Sequence, residues 1–237
     1  MDARHVYWGL LERLYNPASN TQLINVPFAD GDLHAQTCVS AAHVFALIQQ
    51  TPGEYARMVE RLTSPEASFT IVRTYPTERF EQKRRWLAGA IPFRQVGATT
   101  LEIGVHADAE APARAVAEQQ GRRFHEYDFG VREKKNSRLL GDVLVQSALT
   151  NYIMRGRYNS ACDCDRDTGE RGVLPPDDSS GHQALYEDIR NGPTPVMRPR
   201  RSLFMTGLTE QEALQAAKDA WTGGHYLDRG MLINIGL

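Results

Sequence analysis

The sequence lacks the charge imbalance and the low hydrophobic content that mark nucleic-acid-binding and disordered proteins. Its 237 residues contain 27 lysines and arginines against 29 aspartates and glutamates, a formal net charge of -2, and 41% of them are hydrophobic. Recognition of a phosphate backbone needs a basic face, so we expect no nucleic-acid partner. The length and the hydrophobic content predict a folded protein with a core of its own.

Long apolar runs are absent as well. No stretch of about 18 consecutive apolar residues occurs, which argues against a membrane-spanning helix. Residues 1–17 carry charges among their apolar positions and have no apolar h-region of a secretory signal. We therefore expect synthesis in the cytoplasm and no membrane span, while export by a route that ignores N-terminal signals would leave no trace here.

Cysteine is scarce, with three residues in the whole chain. An odd number cannot pair completely within one chain, and a domain of this length does not need disulfide staples. The sequence therefore predicts free thiols at Cys38, Cys162 and Cys164.

What is present is a mixture of helical and strand patterns. Helical spacing or capping residues predict helices over 5–14, 38–50, 52–62, 77–91, 111–120, 138–155 and 208–221, and β-branched or alternating runs predict strands over 68–75, 99–107 and 231–237. We expect a single α+β domain over 1–237, with an N-terminal helical part whose buried cysteine-bearing helix packs on a small antiparallel sheet. A polar segment rich in Gly, Pro and Asp, at about 158–201, is predicted to be an insertion.

Cys38 is the strongest candidate for chemistry. With Thr37 as N-cap, Cys38 lies in the first turn of a helix, where backbone N–H groups and the helix dipole favour a thiolate. The small residues Ser40 and Ala41 would let a second element pack closely against this helix. The alternative is a structural cysteine, because free cysteine is among the most buried residue types.

The run INVPFADGDLHAQTCVSAAHVFALIQ resembles the nucleophile segment of papain-like cysteine peptidases of the bacteriocin-processing and bacterial-effector type. The resemblance implies a papain-like fold and hydrolysis of amide bonds, in which a cysteine attacks the carbonyl carbon and a histidine moves the proton. It also implies a protein or peptide substrate, no cofactor, and a toxin or effector role with delivery into a target cell. An immunity protein, a chaperone or a secretion partner would accompany such a role.

On this resemblance Cys38 is the nucleophile, and His225 is the first choice for the base, with Asp228 or Asn234 as its orienting group. Gln36 is the glutamine nearest to the nucleophile, but relatives carry the oxyanion-hole glutamine further upstream, where this chain has Asp32. Loss of one oxyanion donor costs about 10² to 10³ in rate. Other candidates for the base are His106, His125 and His182, and the base could also lie beyond residue 237, in which case this chain is an inactive fragment.

The run ACDCDRDTGERG suggests a second site. Asp163, Asp165 and Asp167 alternate and could turn their carboxylates towards one hard cation such as Ca²⁺, although the register of an EF-hand loop is not kept. Cys162 and Cys164 could instead join a histidine at zinc. The alternative is a solvated acidic loop.

The second functional hypothesis is a non-catalytic structural or interaction protein, for example a phage or secretion-apparatus component. In that case Cys38 is a core residue and 158–201 is a docking arm. Fast alkylation of one thiol at neutral pH favours the enzyme, and inert cysteines favour the scaffold.

Overall fold

The computed structural model describes residues 3–15, 37–120, 138–170 and 184–189. The helices are α1 (Ala3–Tyr15), α2 (Cys38–Gln50), α3 (Pro52–Leu62), α4 (Thr77–Leu87), α5 (Ala111–Gln120) and α6 (Leu140–Ile153). The strands are β1 (Ser68–Thr74), β2 (Phe93–Gln95), β3 (Thr100–His106), β4 (Tyr158–Asn159) and β5 (Cys164–Asp165), and a π-helical turn spans Leu185–Ile189. The predicted α+β class is confirmed. None of the described helices is long and apolar enough to cross a membrane.

Strand β3 is the centre of a three-stranded antiparallel sheet with the order β1-β3-β2. Ser68 pairs with His106 at one end of the β1–β3 ladder, and Thr74 pairs with Thr100 at the other. Leu101, Ile103 and Val105 alternate into the core and are at most 1% exposed. The strands predicted over 68–75 and 99–107 are therefore confirmed, whereas the short β2 was not predicted and 231–237 lies outside the described residues.

Helix α6 is the centre of the core, as its long apolar sequence predicts. Every residue from Leu140 to Thr150 is buried, and so are Tyr152 and Ile153. The helices α1, α2, α3 and α5 and strand β3 all pack against it. Because α6 has no solvent face, its polar side chains must find partners within the protein.

The inner face of α1 supplies one such partner. Arg13, which is fully buried, forms an ion pair with Asp142 of α6, and its Nε donates a hydrogen bond to Asp142 Oδ1 at 3.1 Å. The Tyr55 hydroxyl of α3 donates to the same oxygen at 2.7 Å. One carboxylate thus joins three helices.

The polar segment predicted as an insertion is folded where the structure describes it. Strands β4 and β5 pair as a short hairpin, with Tyr158 opposite Asp165. Further along, Leu185, Asp188 and Ile189 are buried, and Leu185 and Ile189 belong to the same hydrophobic core as α6. These parts of the segment therefore contribute to the core of the domain.

Candidate functional site

The first turn of α2 rests on a buried polar cluster. Thr37 occupies the N-cap position, but its hydroxyl donates to Gln146 Oε1 of α6 at 2.8 Å and makes no capping bond. Arg138 Nη1 donates to the same Gln146 oxygen at 3.1 Å and to the Thr37 hydroxyl at 3.4 Å. All three residues are at most 2% exposed. The buried Arg138 guanidinium and the Gln146 carboxamide are therefore both hydrogen-bonded to Thr37, the residue that precedes Cys38.

One turn further along α2, a pair of hydroxyls makes another contact between α2 and α6. The hydroxyls of Ser40 and Thr150 lie 2.7 Å apart, and Thr150 also donates to the backbone carbonyl of Gln146 at 2.8 Å. Because the Thr150 proton is used in that bond, Ser40 is the donor between the two hydroxyls. The small Ser40 allows the close approach of α2 and α6 that the sequence predicted.

A neighbouring face of α6 carries a further polar cluster, which joins the β4–β5 hairpin to the core. Ser147 donates to Asp108 Oδ1 at 2.6 Å, and the backbone N–H and hydroxyl of Ser160 both donate to Asp108 Oδ2 at 3.1 Å. Asp108 is 3% exposed, and its carboxylate is satisfied by these donors.

Tyr158 brings the hairpin within electrostatic reach of Arg138. Its hydroxyl donates to Asp163 Oδ1 at 2.8 Å. Burial, first, and then the Asp163 carboxylate raise the pKa of Tyr158 well above its usual value, and the Arg138 guanidinium opposes that rise. The Arg138 guanidinium, which bonds to Thr37, thus also acts on the Tyr158 hydroxyl.

Cys38 is the first residue of α2, with Thr37 at the N-cap, as the sequence predicted. The other predicted catalytic residues, Gln36, His225 and Asp228, lie outside the described residues. The alternative bases His125 and His182 lie outside them too. The pairing of Cys38 with any of these residues therefore stays a prediction.

His106 lies on a different side of α6 from the start of α2. The backbone carbonyl of His106 accepts a hydrogen bond from Asn151 Nδ2 at 3.1 Å, whereas Thr37 contacts Gln146. Five residues on a helix correspond to about 140° of rotation and about 7.5 Å of rise. The His106 backbone and Thr37 therefore contact α6 at positions about 140° apart around the helix axis.

The aspartates predicted to hold a hard cation have other partners. Asp163 accepts from Tyr158, and Asp165 accepts the backbone N–H groups of residues 167 and 168 at 2.8 and 3.1 Å and pairs with Arg157 at 3.0 Å. Asp167 is exposed. In the part of the chain that the structure describes, no three His, Cys, Asp or Glu side chains are arranged to hold a metal ion. These bonds give Asp163 and Asp165 structural roles in the hairpin, and cation binding by the three aspartates stays a prediction.

The prediction of three free thiols is corrected at two positions. Cys162 and Cys164 form a disulfide, with their Cα atoms 5.3 Å apart. Asp163 between them has a positive φ, and the tight turn it makes holds the two Cα atoms within the range that a disulfide spans. A bonded pair offers no thiolate to zinc, which also removes the zinc interpretation for this state.

A second buried ionic cluster was not predicted from the sequence. Lys83 of α4 pairs with Asp188 of the π-helical turn, and the hydroxyls of Tyr75 and Tyr152 both donate to Asp188 at 2.5 Å. The Trp86 ring lies 4.5 Å from Lys83 Nζ. Burial, followed by the charge of Asp188, raises the pKa of both tyrosines well above the usual value.

A cavity of about 230 Å³ lies beside that cluster, lined in part by His106, Asn151 and Tyr152. Gly104 also borders it, and a Cβ atom at this position would stand 3.0 Å from the His106 imidazole. The glycine therefore leaves room for the ring.

The outer face of α1 is apolar and open. Tyr7 and Trp8 are 61% and 55% exposed, and Leu11 and Leu14 follow at helical spacing with 38% and 36%. Exposed apolar patches of this kind mark interaction surfaces more often than chance.

Comparison of the chain with protein-family models, with curated proteins and with solved structures finds no match.

Proposed function

We propose that the chain is a papain-like cysteine hydrolase, a peptidase or amidase of the bacterial toxin or effector type, with Cys38 as nucleophile. The observation that carries the proposal is the position of Cys38 as first residue of α2, directly after a threonine held by a buried guanidinium. The N-terminus of a helix favours a thiolate over a thiol, and Arg138 brings a buried cation to Thr37, the residue before Cys38. The buried Arg138 and Gln146 side chains, both hydrogen-bonded to Thr37, fix the residue that precedes the proposed nucleophile.

In the proposed mechanism the Cys38 thiolate attacks the carbonyl carbon of an amide and forms a tetrahedral oxyanion. N–H groups of the first turn of α2 and the side chain of Gln36 stabilise this charge. His225, oriented by Asp228, protonates the departing amine, and the thioester is then hydrolysed by water that gives its proton to His225.

Thiol labelling tests the nucleophile directly. We expect brief treatment of the native protein with iodoacetamide at neutral pH to label Cys38 faster than the same cysteine in the urea-unfolded chain. Arg138→Ala should slow this labelling, and Arg138→Lys should restore part of the rate, because it keeps a cation at that position. Equal rates for native and unfolded protein would show that Cys38 is an ordinary thiol.

The base is tested by a pair of histidine substitutions. We expect His225→Ala to abolish hydrolysis of a peptide or amide library while the protein stays folded by circular dichroism. His106→Ala is the matched control, because His106 lies on another side of α6, and it should keep the activity. Activity retained by His225→Ala but lost by Cys38→Ser would move the base to another histidine.

The open face of α1 favours a second candidate, the non-catalytic interaction protein. Its exposed apolar residues would dock a partner, and Cys38 would be a packing residue. In that case Cys38→Ser changes nothing beyond packing, and the double variant Trp8→Ser/Leu11→Ser loses association without losing its fold. The labelling experiment separates the two candidates, because a scaffold has no reason to activate Cys38.

A further inference from the structure

The disulfide between Cys162 and Cys164 closes a very small ring, which encloses one residue. A disulfide stabilises a fold mainly by restricting the unfolded chain, and this gain grows with the length of the closed loop. A ring of this size therefore gives the smallest gain of its kind. Stabilisation of the domain is a weak reason for this bond to exist.

The hairpin that carries the pair is also held together without the bond. The backbone N–H of Asp165 donates to the carbonyl of residue 170 at 2.7 Å, and that of Arg166 donates to the carbonyl of Arg157 at 2.6 Å. Asp165 pairs with Arg157 at 3.0 Å. Opening the disulfide would leave this scaffold in place.

The residue inside the ring is held in a conformation that L-residues rarely adopt. Asp163 has a φ of 54°, in the left-handed region that costs a non-glycine residue energy unless its surroundings fix it. The two flanking cysteines and the bond from the Tyr158 hydroxyl fix it here. Loss of the disulfide removes one of these constraints and frees Asp163 to leave the left-handed region.

The two sulfurs differ in how easily a reagent reaches them. Cys162 is half-buried at the outer end of the turn, whereas Cys164 is 7% exposed. An incoming thiolate therefore attacks Cys162, and Cys164 is the leaving group. Accessible bonds of this kind are the labile ones, whereas structural disulfides are shielded.

We propose that Cys162 and Cys164 are a redox-active pair, which is reduced and re-formed by exchange with a low-molecular-weight thiol of the glutathione class. This inference does not rest on the proposed hydrolase activity, because it involves neither Cys38 nor a base.

The exchange takes two steps. A glutathione thiolate attacks the Cys162 sulfur, the bond between the cysteines breaks, and Cys164 leaves as a thiolate that takes up a proton. A second glutathione thiolate attacks the glutathione sulfur of the mixed disulfide, so that glutathione disulfide leaves and Cys162 takes up a proton. The protein gains two electrons and two protons, which two glutathione molecules supply. Re-oxidation by glutathione disulfide is the reverse.

The state of the pair is coupled to the core through Asp163. Its carboxylate accepts a hydrogen bond from the hydroxyl of the buried Tyr158 at 2.8 Å. If Asp163 leaves the left-handed region when the disulfide opens, its bond to Tyr158 is lost, so that bond would favour the disulfide state, and the coupling would be reciprocal.

The proposal is tested by equilibrating the full-length native protein with a series of glutathione buffers. Alkylation traps the free thiols, and peptide mapping reads the state of residues 162 and 164. We expect the ratio of disulfide to dithiol to rise in proportion to the concentration of glutathione disulfide over the square of that of glutathione. Cys38→Ser should titrate identically, which excludes exchange with the third cysteine. A pair that stays bonded in excess glutathione until the protein is unfolded, or that stays reduced in excess glutathione disulfide, overturns the proposal.

Two variants test the steps. Cys164→Ser should accumulate a mixed disulfide at Cys162 that the unchanged protein resolves, and equal accumulation in both proteins would contradict a pair.

Tyr158→Phe should lower the ratio of disulfide to dithiol by about twofold to tenfold, the equivalent of one hydrogen bond. An unchanged ratio would overturn the coupling through Asp163.

Discussion

At the scale of single residues, the protein buries a lysine and an aspartate whose burial the local sequence pattern does not predict. Lys83 stands at helical spacing from Phe80 and Leu87, so its position in α4 faces the core. The cost of burying its ammonium group is offset by Asp188, which also accepts from two tyrosines. An ion pair of this kind is sensitive to the loss of either partner, because the other charge is then left in a poor solvent.

Asp188→Asn should therefore lower the free energy of unfolding by about 3 to 5 kcal/mol, since Lys83 would keep its charge without a counter-ion. Urea denaturation measures the effect. Arg94→Ala is the matched control: it breaks the ion pair with Glu102, in which the Arg94 side chain is 71% exposed, and should cost no more than about 1 kcal/mol. Equal decreases in the free energy of unfolding of the two variants would show that the buried ion pair is no more sensitive to loss of a partner than the exposed one.

At the scale of the elements, the contact between α3 and α6 depends on a glycine. A Cβ atom at Gly141 would stand 3.0 and 3.2 Å from the two methyl groups of Val59 and 3.3 Å from the Tyr55 hydroxyl. The glycine therefore allows the two helices to approach closely enough for Tyr55 to reach Asp142. Gly53, in the first turn of α3, has no atom within 4 Å of such a Cβ.

These two glycines predict opposite effects of the same substitution. Gly141→Ala should destabilise the protein by about 1 to 3 kcal/mol through overpacking, and the double variant Gly141→Ala/Val59→Ala should recover part of that loss. Gly53→Ala should stabilise it by about 0.4 to 1 kcal/mol, because alanine restricts the unfolded chain. Thermal or urea unfolding measures both, and a stabilising Gly141→Ala would refute the close approach.

The same elements show what the sequence can predict. Thr51 and Pro52 predicted the start of α3 correctly, but the Thr51 hydroxyl donates back to the Leu47 carbonyl at 3.3 Å and makes no capping bond. Residue types thus predict where a helix begins. They do not predict which atom a capping hydroxyl bonds to, because that depends on the residues packed beside it. The first residue of α2 at Cys38 was predictable for the same reason.

Features that depend on distant residues were not predictable from local pattern. The burial of Lys83 against Asp188 was not predicted, because Asp188 lies 105 positions away and its approach is decided by tertiary packing. The disulfide was missed because cysteine counting favours free thiols, although the short spacing in a tight turn was the available signal. The Arg138 contact with Thr37 likewise joins residues 101 positions apart.

At the scale of the whole molecule, tyrosines in several parts of the core are held neutral. Burial raises the pKa of Tyr55 to about 12, with Arg13 opposing the shift. The pKa values of Tyr75, Tyr152 and Tyr158 are also raised, first by burial and then by neighbouring carboxylates. The folded state therefore keeps protons that the unfolded chain loses at alkaline pH.

This difference predicts alkaline instability. The contribution of these tyrosines is fully present below about pH 10, where the unfolded chain is still protonated, and is lost as the pH rises towards the folded-state values. Each tyrosine adds a slope of about 1.4 kcal/mol per pH unit in that range. Urea unfolding at a series of pH values measures the slope, and Tyr55→Phe should reduce it by one such increment between about pH 10 and 12. If Tyr55→Phe leaves the pH dependence of the unfolding free energy unchanged, groups other than Tyr55 cause the loss of stability at alkaline pH.

The central place of α6 in the fold also has a consequence for synthesis on the ribosome. The helices and strands from α1 to α5 precede residue 140 in the chain, yet α1, α2, α3, α5 and β3 all pack against α6. At about 5 to 20 residues per second, their 139 residues take roughly 7 to 28 s to be made before α6 begins. During that interval their apolar faces lack the helix that covers them in the folded protein, so the core is complete only after α6 has been synthesised.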